Sequence, residues 1–154
     1  MRDFGMESAD SQIYDRNRHD LVRYATVLVG PEEAEGVVST VVSQVLTRGG
    51  FEELEDPRSH LFRAVLRESK FASRRGRAES ENAVDSGESA EWVFEPEVWD
   101  AVERLPLKQR AATYLFYWME LSVAETAALM DLRPATVKRY LRLARLRVGE
   151  ALDG

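Results

Sequence analysis

The sequence contains no cysteine. Disulfides, thiolate metal centres and a cysteine nucleophile are thereby excluded. Histidine is nearly as scarce. His19 and His60 stand 41 positions apart with no second type of ligand clustered beside either, which argues against a histidine-based metal site. No apolar run approaches the roughly 20 residues that span a bilayer. The opening MRDFGMESADSQ is too polar and acidic to be a secretory signal, so a cytoplasmic protein is expected. Glycine-rich phosphate loops, zinc spacings and nucleophile motifs are all missing. Carboxylate pairs such as Glu32/Glu35 and Glu52/Glu55 lie in acid-rich stretches that imply solvent, not a pocket. These absences predict a protein that is not an enzyme and carries no metal or other cofactor.

What is present is a chain of 154 residues, 44% hydrophobic and 31% charged, which suffices for one average domain or two small ones. The net charge of −6 averages very unequal segments. Residues 1–75 carry 11 basic and 13 acidic side chains, residues 76–97 carry 1 and 7, and residues 98–154 carry 9 and 7. Two stretches are sharply basic. Residues 58–77 hold Arg58, Arg63, Arg67, Lys70, Arg74, Arg75 and Arg77 against Glu68 alone, and residues 133–147 hold six Arg and Lys with no acid. Phosphate binding follows such local faces and not the chain average.

The pattern predicts an all-α protein of two small helical domains, residues 11–75 and 98–152, joined by the acidic linker 76–97. In the first domain, a helix from about Ser11 to Val29 turns Tyr14, Leu21, Tyr24, Ala25 and Leu28 to one side. Gly30 ends it and Pro31 opens the next helix. That second helix has five valines in nine residues, a strand-like composition, but they are spaced three and four apart, which is a helical period. Gly49 and Gly50 stop it. Pro57 opens a third helix, with Leu61, Phe62, Val65, Leu66 and Phe71 expected inward.

The second domain begins with the short helix VWDAVERL. A longer helix follows, LKQRAATYLFYWME, with Ala111, Tyr114, Leu115 and Trp118 as expected core. Ser122 and Glu125 form a capping-box pattern before an alanine-rich helix. A turn at Met130–Arg133 then leads to Pro134 and a last helix whose inner stripe is Val137, Leu141, Ala144 and Val148. A short helix, a tight turn and a second helix with a basic outer face form a helix-turn-helix, whose second helix fits the major groove.

These residues resemble a known family. Leu105-Pro106…Gln109-Arg110, the helix Leu121–Ala127 and Thr136-Val137-Lys138 are similar to region 4 of bacterial sigma factors of the extracytoplasmic-function group. Asp20-Leu21…Arg23-Tyr24-Ala25, Glu33-Ala34-Glu35 and Asp56-Pro57-Arg58…Leu61 resemble region 2 of the same group. The resemblance implies a promoter-recognition subunit that binds core RNA polymerase and promoter DNA, and in some members an anti-sigma factor. Arg133, Thr136, Lys138, Arg139, Arg142 and Arg145 would face the upstream (minus-35) element. Arg58, Arg63, Arg67, Lys70, Arg74 and Arg75, with Phe51 as a stacking candidate, would face the melted downstream (minus-10) strand. Glu32, Glu35, Gly36, Ser39, Thr40 and Ser43 would line the polymerase-binding face of the second helix.

The chain departs from the family pattern on that last face. Gly36, Ser39 and Thr40 stand where acidic and amide side chains are usual, while the inward valines are kept. Two alternatives therefore stay open: a degenerate sigma-like DNA-binding regulator with weak polymerase binding, and a protein that sequesters an anti-sigma factor.

Overall fold

The computed structural model describes the backbone of residues 8–79 and 95–153, and the side chains of residues 10–72 and 95–153. Most of the expected linker, with Trp92, Val93 and Phe94, lies outside the described residues, as do the side chains of Arg74, Arg75 and Arg77. The described elements are helices: α1 Ser8–Val29, α2 Pro31–Thr47, a 3-10 turn Phe51–Glu53, α3 Pro57–Glu79, α4 Pro96–Glu103, α5 Leu107–Thr113 continued by a π turn Tyr114–Trp118, α6 Val123–Met130 and α7 Pro134–Asp153.

In α2 the period overrides the propensity. Ala34, Val37, Val38, Val41, Val42 and Val45 are all buried against α1 and α3. A valine costs roughly 0.5 kcal/mol more than alanine in a helix, whereas burying its side chain contributes about 1.5–3 kcal/mol. Burial wins at each position, and the branched side chains follow. Gly36, on the opposite side, is exposed and has open space where a Cβ would stand.

The α2–α3 connection is tied to the start of α1. Gly49 and Gly50 have φ of 122° and 94°, which reverses the chain at the end of α2. The buried Asp10 carboxylate accepts a hydrogen bond from the Phe51 backbone N–H at 2.9 Å. This draws Phe51 into the core, where it is fully buried and its ring stacks on Tyr14 with centroids 6.3 Å apart. Asp56 then caps α3, accepting from the Ser59 backbone N–H at 3.3 Å and from the Ser59 hydroxyl at 2.7 Å. Those bonds hold the Asp56 carboxyl below its ordinary range.

Two inward expectations fail, each for a local reason. Phe71 is 51% exposed. The buried stripe of α3 runs through Leu61, Phe62, Val65, Ser69 and Ala72, and at 3.6 residues per turn Phe71 lies about 120° from its centre. Trp118 is 38% exposed, although simple helical spacing from Ala111 and Leu115 would bury it. The chain leaves the α pattern there: the Met119 N–H donates to the Tyr114 carbonyl five residues back, at 3.0 Å. The extra residue rotates Trp118 by about 100° toward the surface.

The expected helix-turn-helix forms as the caps dictate. The Ser122 hydroxyl accepts from the Glu125 N–H at 3.0 Å, and the Glu125 carboxylate accepts from the Ser122 N–H at 2.8 Å. At the other end of α6, Asp131 takes the left-handed conformation (φ 58°, ψ 47°), and the Leu132 N–H returns to the Ala127 carbonyl at 3.0 Å. Val137, Leu141 and Ala144 of α7 are buried, while Val148 is half-buried.

The two units do not stand apart. α1 packs on α5, α3 packs on α6, and the buried apolar residues of both form one continuous core.

Two measurements probe this scaffold. Gly50→Ala would put a Cβ 2.7 Å from the Asp10 carboxylate at a left-handed φ, so it should destabilise by about 1–3 kcal/mol in urea unfolding. Asp56→Ala should cost about 1 kcal/mol at pH 7 through the lost cap. The folded-state pKa of Asp56 lies below its ordinary 3.8, so the cap's contribution is present above that value and is lost as pH falls through the lowered one. The gap between Asp56→Ala and the natural protein should therefore close in acid.

Candidate nucleic-acid interface

The outer side of α7 is the more open of the two basic faces. Arg133, Lys138, Arg139, Arg142, Arg145 and Arg147 are all exposed, and Thr136 is half-buried at the first turn. Pro134 fixes the helix start, and Val137, Leu141 and Ala144 anchor the opposite side, so the cations necessarily point outward. The Arg139 guanidinium lies over the Tyr140 ring at 5.5 Å, and Arg145 donates to the Tyr117 hydroxyl at 3.0 Å. Arg139 and Arg142 thus point away from the buried stripe, Lys138 and Arg145 flank them on one side and Thr136 on the other, Arg133 precedes the first turn, and Arg145 is braced by the π turn beside it.

The basic face of α3 differs. Arg58 donates to Asn17 Oδ1 at 3.0 Å and to Asp20 Oδ2 at 3.3 Å, and lies over Phe62 at 5.0 Å. Arg63 donates through Nε to the Ala128 carbonyl of α6 at 2.8 Å. Arg67 is exposed and Lys70 half-buried. A positive field is nevertheless present there. His60 is held below its ordinary pKa by partial burial and by the guanidiniums of Arg67, Arg48 and Arg63. Phe51 must be removed from this group: a ring with no exposed surface, stacked on Tyr14 beneath the α2–α3 connection, is a core residue and offers no face to a base.

On α2, Glu32, Glu35, Gly36, Ser39, Thr40 and Ser43 are all exposed and line one side of the helix. Glu35 accepts from Arg18 at 3.3 Å, a surface pair of little energetic weight.

Sequence reasoning missed the residues between the units. Arg110 donates through Nη1 to the Leu28 carbonyl at 2.9 Å and the Val27 carbonyl at 3.4 Å, and through Nη2 to Leu105 at 3.0 Å. Burial lowers its pKa from the ordinary arginine value. The rings of Tyr24 and Tyr114 stack across the same junction at 6.0 Å, and the Arg23 guanidinium lies over the Trp118 ring at 5.6 Å. Burial raises the pKa of both tyrosines, Tyr114 to about 12. A cation between Gln109 and Ala111, on the apolar side of its helix, was the available signal.

Residues 96–148 match the family model for sigma-70, region 4. Over that stretch, about a third of the chain, the sequence is similar to region 4 of sigma-70 factors. A solved structure of the sigma factor RpoE in complex with the anti-sigma factor NepR, from Bartonella quintana, shares its fold. That likeness has a TM-score of 0.70 at 22% identity and covers 93% of this chain and 96% of that one, so both helical units are included. No curated protein matches the sequence. Among the described residues no helix is long and apolar enough to cross a membrane, and no three His, Asp or Glu side chains gather to hold a metal ion.

The exposed face of α7 yields a discriminating expectation. If Arg142 reads a base through a bidentate pair, Arg142→Ala should weaken binding to an upstream-element duplex by about 1–3 kcal/mol and relax preference at one position. A phosphate contact would instead weaken all sequences alike and lower the salt slope by about one. Fluorescence anisotropy across a salt series separates the two.

Proposed function

We propose that this chain is a promoter-recognition subunit of the extracytoplasmic-function type, acting with core RNA polymerase in the cytoplasm. It supplies recognition, and the polymerase does the chemistry. The observation that carries the reading is the acid-free, fully exposed cationic face of α7 on a capped helix-turn-helix within the region 4 match. Arg133, Thr136, Lys138, Arg139, Arg142 and Arg145 are assigned to the upstream element. Arg58, Arg63, Arg67, Lys70, Arg74 and Arg75 are assigned to the melted downstream strand. The outer side of α2 is assigned to the polymerase. An anti-sigma factor is a fitting partner, because the fold is shared with a sigma factor solved in complex with one.

One observation favours a second reading. The outer side of α2 presents Gly36, Ser39 and Thr40, none of them charged, where relatives would form charge-assisted bonds. Each such bond is worth about 1.5–3 kcal/mol, so losing two lowers polymerase affinity by two or more orders of magnitude. The protein would then act on DNA or on an anti-sigma factor with little hold on polymerase.

In vitro transcription with purified core polymerase on genomic fragments distinguishes them, since only the first reading gives specific starts. Gly36→Asp combined with Ser39→Gln should raise both polymerase affinity and transcript yield if the α2 face is the weak point. Open space at Gly36 admits the new side chain, and its removal from mid-helix should also add a fraction of a kcal/mol to stability. Melting temperature is therefore followed separately. Tight binding by the natural protein, unchanged by the double substitution, would dismiss the second reading.

A further inference from the structure

The π turn after α5 gives up apolar burial. An α-helical continuation would place Trp118 inward beside Ala111 and Leu115. Instead the Met119 N–H donates to the Tyr114 carbonyl at 3.0 Å, and the Leu121 N–H reaches back to the Leu115 carbonyl at 3.2 Å. Two large aromatic rings come to the surface as a result, Tyr117 at 47% and Trp118 at 38% exposure. Single-turn departures of this kind recur at functional sites. One of the two rings is fixed in place and holds an arginine of α7. Phe116 packs on the core, and its ring meets that of Tyr117 edge to face with centroids 4.9 Å apart. The Tyr117 hydroxyl accepts a hydrogen bond from Arg145 Nη1 at 3.0 Å, 28 positions along the chain. That bond engages one of the five N–H donors of a guanidinium and leaves its charge in place.

Position along α7 limits what Arg145 can reach. It stands 11 residues after Pro134, about 17 Å along the helix axis. The major groove is about 12 Å wide, and a recognition helix reads bases with its N-terminal residues. Arg145 therefore falls beyond the groove floor, at the level of the sugar-phosphate backbone. Around the helix it lies on the flank between the buried stripe and the outward Arg142. A free arginine loses much rotamer freedom when it meets a phosphate, and one that is already held loses less.

We propose that Tyr117 is a positioning residue for duplex DNA: the π turn sets its hydroxyl beside α7, so that Arg145 is aimed in advance at a backbone phosphate on the margin of the upstream element. The DNA consequence rests on the promoter-recognition reading, and the ordering of Arg145 by Tyr117 does not. The effect is on affinity for any sequence, because a phosphate contact carries no base preference.

Tyr117→Phe in the full-length protein tests this by removing one hydroxyl and keeping the ring on Phe116. Tyr117 is exposed, so the melting temperature should stay with the parent's. Two fluorescein-labelled duplexes are titrated, one selected from a random pool for tight binding and one of scrambled sequence. Tyr117→Phe should bind both more weakly by the same factor, about two- to tenfold, the cost of ordering one arginine side chain. Its salt slope should match the parent's, since no cation is lost, whereas Arg145→Ala should lower the slope by about 0.9. In an Arg145→Ala background, Tyr117→Phe should cost nothing further, a coupling that an unrelated structural defect would not show. Nitrogen-15 relaxation at Arg145 Nε, without DNA, should find the side chain ordered in the parent and mobile in Tyr117→Phe. Parent-like affinity of Tyr117→Phe for both duplexes overturns the proposal. An equal loss in the Arg145→Ala background also overturns it, because the hydroxyl would then be touching DNA itself. An Arg145 side chain equally mobile in parent and variant overturns it as well. If the parent binds neither duplex, the promoter-recognition reading fails and takes the DNA role with it, while the relaxation measurement still decides whether Tyr117 orders Arg145.

Discussion

Arg110 is a charge taken out of water at the junction of two domains, and the arrangement of both follows from how it is satisfied. Desolvating a guanidinium costs several kcal/mol unless its donors find acceptors. Here the Nη donors find three carbonyls, two of them open groups at the negative end of α1, while the buried Nε has no partner. Separating the units would strand those carbonyls as well as the cation, unless water reached both. Around this polar contact the apolar surface closes: Tyr24 and Tyr114 stack and are almost fully buried, and the core runs through without a break. The Tyr24 hydroxyl has no hydrogen-bond partner there, a penalty of about 1–3 kcal/mol that the surrounding burial offsets. The junction is thus polar where it fixes orientation and apolar where it gains stability.

The chain's two cationic faces have different status for the same reason. Both arise from helices whose inner stripes are apolar, so their charges were bound to point outward. α7 packs its buried side on α4, α5 and α6, and its outer side is exposed, with Arg145 bonded to Tyr117 at its margin. α3 lies between α1, α2 and α6, so two of its cations are used within the molecule, Arg58 on Asn17 and Asp20 and Arg63 on Ala128. A net charge of −6 conceals this entirely, because the acids lie elsewhere along the chain.

Most of the fold was legible in the sequence because its signals are local. Pro31, Pro57 and Pro134 open helices, Gly30, Gly49 and Gly50 close or reverse them, and Ser122 with Glu125 forms the cap its spacing implies. The valines of α2 declared a helix through period against their propensity. What was not legible is non-local. No spacing rule announces a π turn, so Trp118 was placed inside and emerged at the surface. Phe51 could be assigned to solvent or core only once Asp10, 41 residues away, was seen to hold its backbone. The candidate site shows the same division. The α7 face was readable residue by residue from one helical pattern, whereas the partial commitment of the α3 face depends on α6 lying beside it.

The separation of inner and outer faces also bears on why the family match ends where it does. Residues 96–148 carry the recognisable pattern, while the likeness of fold, at 22% identity over 93% of the chain, takes in the first unit as well. In α2 the inward positions are valine and alanine, which any buried helix could use, and fold depends on them. Among the described residues the outward positions are exposed, with the Arg18–Glu35 pair and a bond from Thr47 to the Ser43 carbonyl as surface contacts. Gly36 shows the point most clearly, since a Cβ there would have nothing within 4 Å beyond its own stretch of helix. Stability therefore places almost no demand on that face, and a surface so free of internal constraint takes its composition from whatever binds it. Substitutions on that face can therefore change what it binds while leaving the fold intact, so binding and stability are separate properties of this protein.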